Sequence, residues 1–139
     1  MTSADEEAIG SVIGRVVDLW NRHDMHAFAA LFAQDADFVD VFGKWFRSRA
    51  AIEKVLSERH ATVFKHSRFT GKEIVIRIPR PELAVVHAVL ELSGAFSPQG
   101  QPLPPGQGVI TCVLDKAASG WRILALQNTA VAPPPAAGN

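Results

Sequence analysis

The apolar residues of this chain recur at helical spacing up to about residue 64 and at strand spacing after it. Three helical stretches followed by four long strands joined by hairpin-length links lead to an α+β fold, with the helices packed on one face of a curved antiparallel sheet. Ser3 with Glu6 three residues on forms a capping box for a first helix, Ser3–Arg22, whose buried stripe is Ile9, Val12, Ile13, Val16, Leu19 and Trp20. Asp24 caps a short second helix that turns Ala27, Phe28, Leu31 and Phe32 inward. Asp35-Ala36-Asp37 reads as a turn into a short strand, Phe38–Phe42, which Gly43 closes. Ser48 caps a third helix, Arg49–Val63, with Ile52, Val55, Leu56, His60 and Phe64 on one side.

The strands follow. Phe69–Ile78 leads through a tight Pro79-Arg80-Pro81 connection to a long strand, Leu83–Phe96. After a Pro/Gly-rich loop, Ser97–Gln107, the segments Gly108–Lys116 and Trp121–Val131 form a hairpin. One domain is expected over residues 1–131, with a disordered Pro/Ala-rich tail at 132–139. In the strand that starts at Leu83, Val86, Ala88, Leu90 and Leu92 make a wholly apolar face, and Val85, His87, Val89 and Glu91 a mixed one. The mixed face is expected to line a cavity under the helices. The apolar face is expected to meet a second copy of the chain, giving a homodimer through the sheet.

Composition limits the partners. With 14 Lys plus Arg against 14 Asp plus Glu, there is no basic excess to hold a phosphate backbone, so nucleic acid is not expected as a partner. The single cysteine, Cys112, allows no internal disulfide, which points to a reducing compartment and a cytoplasmic location. No apolar run approaches the ~18 residues of a membrane span, and the acidic start (Asp5, Glu6, Glu7) is unlike a signal peptide, so no membrane partner is expected. His23, Asp24 and His26 do not have a metal-ligand spacing, and neither a metal nor a cofactor is expected.

The chemistry concentrates between Phe38 and Phe64. Asp40 lies among Val39, Val41 and Phe42, where poor solvation disfavours a carboxylate's charged form and makes it a candidate general base. The bland alternative is a strand-end carboxylate tied to a backbone amide or an arginine. His60 is either a core histidine packed on Phe64 or a polar group lining a pocket. His87 and Glu91, four residues apart on one strand, point the same way about 13 Å apart, a distance suited to opposite ends of a small ligand. Of the neighbours Gln127 and Asn128 only one can face a pocket. Trp45 belongs either to a pocket mouth or to the packing of the third helix; Trp20 reads as core.

The segments at 19–43 (LWNRHDMHAFAALFAQDADFVDVFG), 47–64 (RSRAAIEKVLSERHATVF) and 120–129 (GWRILALQNT) resemble the nuclear transport factor two-like superfamily. That group includes ketosteroid isomerases, scytalone dehydratases and SnoaL-type cyclases. The last segment, with His60 and Phe64, is most similar to its SgcJ/EcaC-type branch. The resemblance implies a cone-shaped sheet around a pocket and usually a homodimer. It puts Asp40 where ketosteroid isomerases keep their proton-shuttling carboxylate. It aligns their oxyanion-binding tyrosine with Val16 and their acid-form aspartate with Cys112, and it sets His87, Glu91 and Gln127 on the cavity face, with Gln127 favoured over Asn128.

Two functions are expected from this. One is an isomerase, dehydratase or cyclase acting without a cofactor on an apolar carbonyl compound, with Asp40 and His87 catalytic. Val16, Trp20, Phe42, Trp45, Val55, His60, Glu91, Cys112 and Gln127 would then contact the substrate. The other is a non-catalytic carrier or accessory protein for a small hydrophobic ligand.

Overall fold

In the computed structural model, which describes residues 3–132, Ser3 caps the first helix as its position predicts. Ser3 Oγ accepts from Glu6 N at 3.0 Å at the start of helix α1, Ala4–Asn21. Ile9, Ile13, Val16, Leu19 and Trp20 are its buried face, set by the 3.6-residue period. Asp24 Oδ1 accepts from Ala27 N at 3.1 Å and starts α2, Met25–Ala29. Ser48 caps α3, Arg49–His60, which ends three residues earlier than expected. The guanidinium of Arg49 donates twice to Phe32 O, at 2.9 and 2.7 Å, and fixes the start of α3 to the first strand.

Six strands make one curved sheet, in the order β2-β1-β6-β5-β4-β3. They are β1 Phe32–Val39, β2 Trp45–Phe46, β3 Arg68–Arg80, β4 Leu83–Ser93, β5 Gly106–Ala117 and β6 Gly120–Ala130. The architecture is the expected mixed α+β one, with N-terminal helices on a curved, unclosed sheet. Several details differ: β1 ends at Val39, not Phe42, a short strand β2 is added, and β4 ends at Ser93, not Phe96. The strand at Phe38 begins at Phe32, because Asp35-Ala36-Asp37 is absorbed into β1 as a register shift against β6. The β1–β6 pair is parallel, so the sheet is not wholly antiparallel. Pro79 lies within β3, which is tolerated because β3 is an edge strand with no neighbour on one side. The tail reading at 132–139 lies, apart from Ala132, outside the described residues.

The core sits between helices and sheet. Ile52 and Leu56 of α3 and the stripe of α1 meet Val86, Ala88 and Leu90 of β4, Ile110, Cys112 and Leu114 of β5, and Ile123 and Leu126 of β6. Here the expected assignment of the two faces of β4 is reversed. The apolar face is buried under the helices and the mixed face points away from them, with His87 exposed. The reason is elementary: the uniformly apolar face gains more from removal from water than the mixed one. α1 is fastened over the sheet by Asn21, whose side chain donates to Phe69 O at 2.9 Å and accepts from Phe69 N at 2.7 Å. Trp121 Nε1 also donates to Asp5 Oδ1 at 3.1 Å. No helix among the described residues is long and apolar enough to cross a membrane.

Candidate functional site

Helices and sheet do not meet everywhere. At the end of the sheet near the β1–β2 turn they leave a hollow of two adjoining lobes, of about 90 and 170 Å³. Both are walled by Val41, Phe69, Leu90, Leu92, Ile110 and Asn128. The inner lobe is completed by Val16 and Trp20 of α1, by Leu56 and Arg59 of α3, and by Asp40 and Phe42. Leu103 and Pro104, from the loop before β5, close the outer lobe. Trp20 is held from behind: its indole nitrogen donates to Ser67 Oγ at 3.1 Å, and Ser67 in turn donates to Phe64 O at 2.8 Å.

Asp40 lies at the rim of the inner lobe, 7% exposed. Its Oδ1 accepts from Phe42 N and Lys44 N, each at 2.9 Å, and its Oδ2 from Arg59 Nη2 at 2.9 Å. The turn it organises closes further through Gly43 N to Asp40 O at 3.0 Å, with Gly43 at φ 83, a left-handed conformation that favours glycine. The carboxylate therefore ties a hairpin to α3, and the Arg59 guanidinium neutralises it. This is the bland alternative entertained for Asp40, realised with both an amide and an arginine.

The remaining expected site residues divide. Val16, Trp20 and Phe42 line the hollow with Asp40, and Phe42 is also 87% exposed, standing at its mouth. Trp45 lies outside, its ring under the Arg47 guanidinium at 3.7 Å and its indole nitrogen bonded to Asp37 at 2.7 Å. Val55 is half-buried on α3 and Cys112 is fully buried in the core, and neither lines the hollow. Burial pushes the Cys112 thiol up to about 12.

His60 is buried behind the wall against Trp20 and Phe64, with Nδ1 2.8 Å from His23 Nδ1 and Nε2 without a partner among the described residues. Burial, and secondarily His23, lower its pKa to about 4. The other members of the HDMH run are likewise engaged: Asp24 caps α2, and His26 reaches Glu53 at 3.1 Å.

His87, Glu91 and Gln127 are not at the hollow, which corrects the expected convergence with Asp40. His87 pairs with Thr111 and Thr111 with Gln127 across the outer face of β4, β5 and β6, and Glu91 follows on the face of His87. For His87 and Glu91 the cause is the reversed face assignment. For Gln127 it is a bulge. Val113 pairs with Ala125 but Leu114 pairs with Ile123, so Leu124 is an extra residue and the alternation slips by one. Ile123 faces inward, and beyond the slip so do Leu126 and Asn128. Asn128, passed over in favour of Gln127, lines both lobes, and Arg59 and Gln107 are polar lining residues that the sequence reading did not name as such. The slip hid Asn128, since no residue type at 124 announces a bulge. Arg59 was legible in principle, one position before His60 on the helix that faces Asp40.

Residues 13–119 match the family model described as the SnoaL-like domain. No curated protein matches the chain. Among solved structures, an uncharacterised protein with a cystatin-like fold from Caulobacter vibrioides is 25% identical with a TM-score of 0.88, over 94% of this chain and 92% of that one. A nuclear transport factor two-like protein with a cystatin-like fold from Novosphingobium aromaticivorans is 18% identical with a TM-score of 0.79, over 96% and 86%. A provisionally assigned scytalone dehydratase from the same organism is 19% identical with a TM-score of 0.77, over 91% and 83%.

Proposed function

We propose that this chain, which belongs to the SnoaL-like domain family, uses the hollow between its helices and sheet to bind a small, mainly apolar molecule, and that it serves as a carrier or accessory binding protein. One observation carries the reading. The carboxylate that would act as a base has both oxygens engaged, by two backbone amides and by Arg59. Taking up a proton at Asp40 would discharge the pair and leave the Arg59 cation part-buried without its counter-charge, at a cost of up to about 3–5 kcal/mol. The apolar walls, by contrast, suit binding with no rearrangement. His87, the other group expected to be catalytic, is on the opposite face of the sheet.

The finer placement in the SgcJ/EcaC-type branch remains our reading of segment 120–129 with His60 and Phe64. A second copy of the chain is proposed to cover the outer sheet face, where Val75, Val85, Val89, Val109 and Val113 surround His87, Thr111 and Gln127.

A thermal-shift screen of small ketones and aromatic compounds tests the function. A ligand held at about a hundred times its Kd stabilises the native state by roughly 2.7 kcal/mol. The expected result is a saturable rise in melting temperature with no chemical change in the compound. Turnover of a compound that is abolished in Asp40→Asn, with the fold intact, would overturn the carrier reading in favour of the enzyme.

A further inference from the structure

Strand β3 is an edge of the sheet, with β4 on one side and no strand on the other. The two peptide groups of Phe69 are held by the Asn21 side chain, so they point away from β4. Along an antiparallel pair such groups point alternately toward and away from the neighbour. The register shifts at Lys72, between the pairs Gly71–Leu90 and Glu73–Val89, while β4 runs on without a break. Lys72 is therefore the extra residue of a bulge. Beyond it the alternation directs the amides and carbonyls of Ile74, Ile76 and Ile78 outward, and none of them bonds to another segment among the described residues.

A sheet edge left in water is a template for another strand, and natural edges are usually blunted by charge, bulges or proline. Here the bulge at Lys72 and Pro79 guard the two ends. Between them Glu73-Ile74-Val75-Ile76-Arg77-Ile78 lies open, with Ile74 and Val75 45% and 49% exposed.

That stretch matches itself. An antiparallel partner can bond only where outward residues meet outward residues, which admits every second register. In the one centred on Val75, Ile74 meets the partner's Ile76, and Val75 meets the partner's Val75. Glu73 meets the partner's Arg77, and the two-fold axis supplies the reciprocal pair. The adjacent permitted registers set Glu73 against Val75 or Pro79 and lose both charge pairs. Within one copy Glu73 and Arg77 are about 13 Å apart, and neither has an ion pair among the described residues. Opposite charges facing each other across strands stabilise the pairing, and like charges oppose it.

The same rim borders a groove of about 380 Å³ between α1 and β3, walled by Gly10, Gly14 and Val17 on the helix and by Gly71 and Ile74 on the strand. A Cβ at Gly14 would meet nothing within 4 Å, and one at Gly10 only the tip of Ile76, at 3.9 Å. In the register centred on Val75, the partner's Ile76 and the partner's Ile78 fall opposite Ile74 and Lys72, on the helix side of the sheet beside this groove.

We propose that β3 is a self-pairing edge: a second copy of the chain adds its own β3, antiparallel and centred on Val75, to make one continuous sheet across two molecules. The contact is distinct from the one proposed for the outer sheet face, because main-chain groups along the rim carry it.

The experiment uses the full chain carrying Thr111→Arg, so that the outer face does not associate. A single strand pair is a small contact, so sedimentation equilibrium should show a monomer–dimer Kd of roughly 10–100 μM, read at concentrations above those that probe the face. Glu73→Arg or Arg77→Glu turns two attracting pairs into two repelling ones and should weaken dimerisation about tenfold. An equimolar mixture of these two variants should restore it, since each supplies the charge the other lacks. A monomer at about 1 mM, association unchanged by either substitution, or a mixture no tighter than its components overturns the proposal. Cysteine pairs fix the register from the helix side, where a face partner cannot bring residues 74 and 76 together. Ile74→Cys mixed with Ile76→Cys under oxidised glutathione should cross-link, because facing Cα atoms stand about 5.5 Å apart. Ile74→Cys alone should not, because its like residue lies about 8–9 Å away. Cys112 is buried, with its thiol pushed up to about 12, and does not compete. No cross-link in the mixture, or an equally fast one in Ile74→Cys alone, overturns the proposal.

Discussion

Replacing Asp40 by Asn, Arg59 by Met, and then both, measures how far the carboxylate is committed to structure. The side chains are 6% and 23% exposed, and the pair is closed at 2.9 Å. Removing one partner of a buried pair strands the other charge and costs about 3–5 kcal/mol. In Asp40→Asn the amide oxygen can still accept from Phe42 N and Lys44 N, and the part-exposed Arg59 can turn to water. The low end of the range, about 3 kcal/mol, is therefore expected. Arg59→Met leaves Asp40 with its two amide donors and should cost a similar amount. The double variant strands no charge and should fall short of the summed singles by about 1.5–3 kcal/mol. Urea unfolding followed by far-ultraviolet circular dichroism, with unchanged slope, gives these values directly. Single variants within about 0.5 kcal/mol of the wild type, with additive effects, would refute the structural role and return Asp40 to the pool of free bases.

The remaining expectations concern other parts of the molecule. The unfolded chain takes up a proton at His60 near 6.5, and the folded chain refuses it down to about 4. Stability should therefore fall by roughly 3 kcal/mol as pH drops through that window. His60→Phe should flatten the fall, and identical pH slopes for the two proteins would contradict this. Cys112, fully buried with a raised pKa, should react with a thiol reagent only on unfolding; rapid labelling of the native protein would contradict its place in the core. For the outer face, sedimentation should show a dimer that Thr111→Arg dissociates, and a monomeric wild type would leave that face without the proposed partner.

Much of the fold was legible because local signals and burial agree along the helices. Ser3, Asp24 and Ser48 cap as their side chains allow, and Ile9, Ile13 and Val16 are buried as their period requires. The alternation along β4 was also correctly read. Which of its faces lies inward is set by the larger gain from burying Val86, Ala88 and Leu90, which alternation alone does not reveal. Strand β6 failed for another reason. A bulge is a property of the pairing with β5, and nothing within Ile123–Asn128 reveals it. Asp40 lines the inner lobe, where its apolar neighbours Val41 and Phe42 also lie. Its engagement by Arg59 depends on the packing of α3 against the β1–β2 turn, a tertiary fact that strand patterning does not contain.

The central claim is that the two-lobed hollow is where this protein takes up its ligand. A titration of the ¹⁵N-labelled chain with 1-tetralone, read from amide chemical shifts, addresses it residue by residue. Saturable shifts should cluster at Val41, Arg59, Leu90, Ile110 and Asn128, with His87 and Gln127 unmoved. Shifts concentrated on the outer face, or none that saturate, would contradict it.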